Sequence, residues 1–81
     1  MAQKKIKIKV YGDVQGVFYR TSAREKAKEL GIVSCETFNM PDGTVEIIVE
    51  GIPEAVSYFT EWCKKGPETA KVEKIEVTDV S

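Results

Sequence analysis

Over the first thirty residues the apolar positions change period, from every second residue to every third or fourth, and that change limits what the chain can fold into. Ile6, Ile8 and Val10 alternate with Lys5, Lys7 and Lys9 across residues 5–11, the pattern of a strand with one face in a core and the other in water. Past the loop Gly12-Asp13-Val14-Gln15-Gly16, the residues Tyr19, Ala23, Ala27 and Leu30 recur at helical spacing, which predicts a helix from Val17 or Phe18 to Leu30. Gly31 stands where a left-handed residue closes such a helix.

Alternation then returns. Residues 33–39 are rich in β-formers, Pro41-Asp42-Gly43 makes a turn, and Thr44–Glu50 places Val45, Ile47 and Val49 on one face, so a β-hairpin is expected. Pro53 and Glu54 suit the first turn of a second helix, which buries Val56, Phe59 and either Trp62 or Cys63. Lys64 and Lys65 favour its C-terminal end, and Gly66-Pro67 stops it. A last strand falls within Ala70–Val80. There Val72, Ile75 and Val77 break strict alternation, which predicts a bulge. The order βαββαβ is that of an α+β ferredoxin-like sandwich, an antiparallel four-stranded sheet with two helices on one face. With 81 residues and no linker, one domain over 1–81 is expected, near the size at which a single core barely suffices. Many unrelated functions use this fold.

Composition narrows the chemistry. The chain contains no histidine, so the commonest general base and the commonest metal ligand are both absent. No metal site and no cofactor are expected. Twelve basic against thirteen acidic residues leave a net charge of -1, without the basic excess that nucleic acid demands. The third strand also lacks the aromatic side chains on which a base-stacking RNA binder of this shape depends. The lysines at 4, 5, 7 and 9 read as a solvated strand face that discourages edge pairing. No stretch approaches a membrane span and MAQKKIKIKV is not a signal peptide, so a cytoplasmic protein is expected, and a monomer because no apolar stripe is left over once the core is made. Cys35 and Cys63 lack the CxxC spacing that a metallochaperone would need and read as free, mostly buried thiols.

The stretch that carries chemistry is Gly12-Asp13-Val14-Gln15-Gly16-Val17-Phe18-Tyr19-Arg20. A glycine loop that opens into a helix N-terminus offers unpaired N–H groups and the positive end of the dipole, a place suited to phosphate. Arg20, one of only two arginines, adds a planar charged fork there. Taken alone, a loop with two glycines is more often just a tight turn.

The segment GDVQGVFYR resembles the acylphosphatase signature, G-x-V-Q-G-V-x-F-R. The resemblance continues through AKELGI at 27–32, NMPDGTVE at 39–46, EAVSYFTEWCKKGP at 54–67 and TAKVE at 69–73, in the family's order and over most of the chain. It implies a metal-independent enzyme that hydrolyses the carboxyl–phosphate bond of small acyl phosphates, with inorganic phosphate as product and inhibitor. It further implies that the backbone N–H groups of Gly12, Asp13, Val14, Gln15, Gly16 and Val17 cradle phosphate, that Arg20 grips it, and that Asn39 positions the attacking water. The second reading, from the same resemblance, is a relative that binds phosphate or other anions without turnover.

Several positions depart from the family pattern. The Gly-Trp pair that usually follows the first helix is missing, and the segment from Gly31 to Asn39 is one residue longer. One extra residue inverts a strand unless a bulge absorbs it, which would put Phe38 at the cradle in place of Asn39. Phe18 stands where a small residue is frequent, Met40 replaces a polar one, and the family's short fifth strand has no counterpart before Ser81.

Overall fold

The computed structural model describes residues 3–80. Six elements follow in the expected order: β1 (Lys4–Asp13), α1 (Tyr19–Glu29), β2 (Ser34–Asn39), β3 (Val45–Gly51), α2 (Pro53–Lys65) and β4 (Lys71–Asp79). The strands pair antiparallel in the order β2-β3-β1-β4. Ile6, Ile8 and Val10 of β1 face the same side as Val49, Ile47 and Val45 of β3, and all six are buried. Ala23 and Ala27 from α1 join Val56, Phe59 and Cys63 from α2 in that core, so both helices cover one face of the sheet. Full burial of a side chain such as Ile8 or Phe59 contributes about 1.5–3 kcal/mol.

The other face is open to water. Its lysines do not guard an edge as expected, because β1 lies inside the sheet with a partner on each side. Instead Lys5 stands opposite Glu50, and Lys9 stands between Glu46 and Glu76. Opposite charges on neighbouring strands of a sheet favour this register.

The ends of α1 follow from local chemistry. Leu30 caps it, and Gly31 takes the left-handed conformation (φ 74°), so that its N–H reaches Lys28 O at 3.1 Å while Ile32 N–H reaches Ala27 O at 2.9 Å. This paired closure ends the helix and drops Ile32 onto the core. In α2 the choice left open between Trp62 and Cys63 falls to Cys63, which is fully buried. Trp62 lies half-buried at the margin, its ring 5.6 Å from Tyr19 and 6.0 Å from Phe59.

The expected bulge lies in β4. Tyr11 pairs with Lys74 but Gly12 pairs with Val72, which leaves Glu73 without a partner residue in the ladder. That extra residue lets Val72 and Ile75 both pack against the core despite their odd spacing. No bulge occurs between β2 and β3, where pairing runs unbroken from Ser34↔Glu50 to Asn39↔Val45. The pairing is anticipated one residue earlier, where Val33 N–H bonds Glu50 O at 2.9 Å.

Candidate active site

The loop after β1 is fastened at four points. Val14 is buried in the core. The Gln15 side chain crosses to the β2–β3 hairpin, where Nε2 donates to Met40 O at 2.8 Å and Thr44 O at 2.9 Å. Thr69 Oγ1 donates to Val17 O at 2.6 Å, which fixes that peptide plane and turns the Phe18 N–H to its opposite side. Tyr19, with its ring buried, donates from its hydroxyl to Cys63 O at 2.8 Å. The loop is therefore a rigid surface before any ligand arrives.

Its backbone changes hand repeatedly. Gly16 has φ 73° and Phe18 φ 64°, while φ at the intervening Val17 is not positive. Such alternation turns successive N–H groups to one side and forms a concavity for an anion. The chain then enters α1 through Phe18, with no side chain capping the helix and no acidic residue in its first turn. The positive end of α1 stays open.

A cavity of about 210 Å³ lies here, lined by Val14, Gly16, Phe18, Tyr19, Arg20, Thr21 and Asn39. Arg20, on the first turn of α1, and Asn39, the last residue of β2, come from opposite ends of two consecutive elements and meet at this cavity. Asn39 shares a sheet face with Val45 and Ile47 through its regular pairing, while Phe38 falls on the opposite face with Glu46. Among the described residues, neither Arg20 nor Asn39 spends its side chain on a protein hydrogen bond or ion pair. The other arginine, Arg24, is engaged, donating to Thr37 Oγ1 at 3.1 Å. Gly12 and Asp13 are the final residues of β1, paired with Val72 and Lys71, so the part of the loop that reaches the cavity wall is Val14, Gly16 and Phe18.

Sequence reasoning did not single out Thr21 as a lining residue, nor the backbone of Phe18. Position 21 in the first helical turn was the only available signal for Thr21, and nothing in the residue type announces a left-handed Phe18.

The hairpin that carries Asn39 is held as firmly as the loop. Gly43 N–H bonds Met40 O at 3.1 Å, and Met40 N–H bonds Thr44 O at 2.8 Å. Asp42 Oδ1 accepts from the Thr44 hydroxyl at 2.6 Å and from its amide at 3.0 Å, and Oδ2 lies 3.1 Å from Lys9 Nζ. The Thr44 hydroxyl and amide, and then Lys9, hold the Asp42 carboxyl down to about 2 from its ordinary 3.8. The turn contact is therefore complete above that ordinary value and is lost only as pH falls through about 2.

Gln15→Leu removes one donor from two carbonyls that each keep a second partner. Urea unfolding of this variant is expected to show a loss of about 1–2 kcal/mol. A loss below about 0.3 kcal/mol would mean that the loop does not lean on the hairpin.

The two thiols are inert. Burial pushes the Cys63 thiol up to about 12, and burial also raises Cys35 despite the nearby Arg24. Neither thiol ionises readily enough near neutrality to serve as a nucleophile. Among the described residues, no three His, Cys, Asp or Glu side chains gather as metal ligands, and no helix is long and apolar enough to cross a membrane.

The acylphosphatase family model matches residues 6–81. The chain belongs to the acylphosphatase family. An acylphosphatase of Rubrobacter xylanophilus is 47% identical over 76 residues, covering 94% of this chain and 68% of that protein. The acylphosphatase structures from Coxiella burnetii and Bacillus subtilis are each 34% identical and cover 98% of this chain, with TM-scores of 0.91 and 0.90. They are covered to 82% and 86% in return. As an acylphosphatase, the protein is a hydrolase that splits the carboxyl–phosphate bond of acyl phosphates into carboxylate and inorganic phosphate. The ferredoxin-like architecture read from the periodicity is that of these neighbours.

Proposed function

We propose that hydrolysis takes place in the cavity between the loop after β1 and the end of β2. One observation carries the reading: Arg20 and Asn39, brought from different elements, line the same cavity with their polar groups uncommitted among the described residues. N–H groups of the loop from Val14 to Phe18 receive the phosphoryl oxygens together with the open end of α1, while Gly12 and Asp13 anchor that loop to the sheet. Arg20 adds a permanently charged fork matched to phosphate. The Asn39 amide, which both donates and accepts, holds the attacking water in line with the bond to be broken.

The leaving group needs no help from an acid. An ordinary carboxyl has a pKa of about 4, so the carboxylate departs as an anion. The proton of the water passes to a phosphoryl oxygen of the substrate. What remains for the protein is positioning and charge stabilisation, which fixed N–H groups, one arginine and one asparagine supply without histidine. Phosphate released in the cradle competes with substrate. We also take residues 1–81 to act as one domain and as a monomer in the cytoplasm, where a reducing milieu suits the free thiols Cys35 and Cys63.

Asn39→Ala tests the role of the water-holding group. Its kcat for benzoyl phosphate is expected to fall by roughly a hundredfold, with the inhibition constant for inorganic phosphate little changed. A raised KM at unaltered kcat would instead make Asn39 a group that only binds substrate.

A further inference from the structure

Phosphate chemistry asks only for the backbone of Phe18 and does not explain its ring. Phe18 lines the cavity, and 73% of this residue is exposed, more than any other large hydrophobic residue among those described. It is also the only described non-glycine residue with positive φ, at 64° with ψ 18°. A bulky side chain rarely takes that conformation, and glycine would hold it without strain. The exposed ring gives little to the core in return. Strain of this kind gathers at places where the geometry is used.

The location indicates the use. With phosphate held by Gly16, Arg20 and the start of α1, as proposed above, the acyl half of a bound substrate extends away from them toward the exposed residues of the wall. Phe18 lines the cavity and is largely exposed, directly before the first turn of α1. On the reading that phosphate sits against the loop and Arg20, we propose that Phe18 is a specificity-determining residue whose ring forms the wall for the acyl group. It favours aromatic acyl phosphates over short aliphatic ones, because ring-on-ring contact adds to simple area burial.

The test compares benzoyl phosphate with acetyl phosphate in the same preparations. Phe18→Gly keeps the left-handed backbone and removes the ring, and Phe18→Asn, which also tolerates that conformation, provides a second reading if glycine loosens the loop. The ratio of kcat/KM for benzoyl phosphate to that for acetyl phosphate is expected to fall roughly fivefold to tenfold in both variants. Any loss of stability or of cradle geometry acts on both substrates alike and cancels in the ratio. An unchanged ratio overturns the proposal. Arg20→Ala, assayed alongside, separates the two readings: if it still turns over both substrates, the placement of phosphate fails and the role of Phe18 fails with it. If Arg20→Ala is silent while the Phe18 variants keep the ratio of the parent, only the acyl wall is wrong.

Discussion

Replacing Arg20 with alanine is expected to lower kcat/KM for benzoyl phosphate by roughly a thousandfold or more, without lowering the midpoint of urea unfolding. The two halves of this expectation have separate causes. Activity falls because, with phosphate placed as proposed, the phosphoryl group loses the one side-chain cation that the described residues bring to the cavity, in a chain with no histidine to replace it. Stability holds because Arg20 is exposed and bonds nothing among the described residues. Alanine is also at least as good a helix former, and removing a positive charge from the positive end of α1 is mildly favourable. Arg20→Lys should fall between the two, since it keeps the charge and loses the planar fork. A rate for Arg20→Ala within tenfold of the parent would take Arg20 out of the reaction.

A change at Gly12 strikes the fold itself. A Cβ on Gly12 would lie 2.2 Å from the carbonyl oxygen of Lys71 and 2.8 Å from the backbone nitrogen of Glu73, at a φ of 128° that side chains rarely adopt. Both neighbours are main-chain atoms of the bulge in β4. They can withdraw only by giving up the pairing of Gly12 with Val72 and of Asp13 with Lys71. Domains of this kind are stable by only about 0.05–0.15 kcal/mol per residue, so a cost of a few kcal/mol removes much of the total. Gly12→Ala is therefore expected to abolish the cooperative thermal transition followed by circular dichroism, or to lower its midpoint by more than about 15 °C. Gly16→Ala is the control. It has a φ of 73° with nothing within 4 Å of the added carbon, so only backbone strain of about 1–2 kcal/mol applies. Equal melting temperatures for the two variants would show that the contact with β4 is not what requires glycine.

What could be read in advance was whatever depends on one face meeting a core. The alternation of Ile6, Ile8 and Val10 survives because β1 is buried on one side and wet on the other. The spacing of Val72, Ile75 and Val77 announced a bulge for the same reason, although not which residue of β4 would be extra. Gly31 was legible because only a left-handed residue closes a helix in that way. The helical period could not choose between Trp62 and Cys63, which sit side by side. The small thiol fits beneath the sheet and the large indole lies at its rim.

The site was harder. Arg20 stood out by its place at a helix start after a glycine loop, whereas Asn39 was named only from a resemblance, and their common cavity depends on the register of β2 on β3. The Gln15 clamp could not be foreseen, because both of its acceptors are backbone carbonyls, which no residue type reveals. The hydroxyl of Thr69 on Val17 is hidden for the same reason. The lysines of β1 misled in a different way: strand order is a long-range property, and nothing local says whether a strand lies inside a sheet or at its border.

That interior position of β1 bears on how the enzyme fails. Amides bonded to neighbours on both sides exchange with solvent only when much of the sheet opens, so β1 belongs to the last part of the molecule to come apart. The loop proposed to bind phosphate is the direct continuation of that strand. It has no cheap excursion of its own, and deuterium uptake in residues 6–10 should track loss of turnover as denaturant rises. Catalytic competence and the folded state then end together, as a single event.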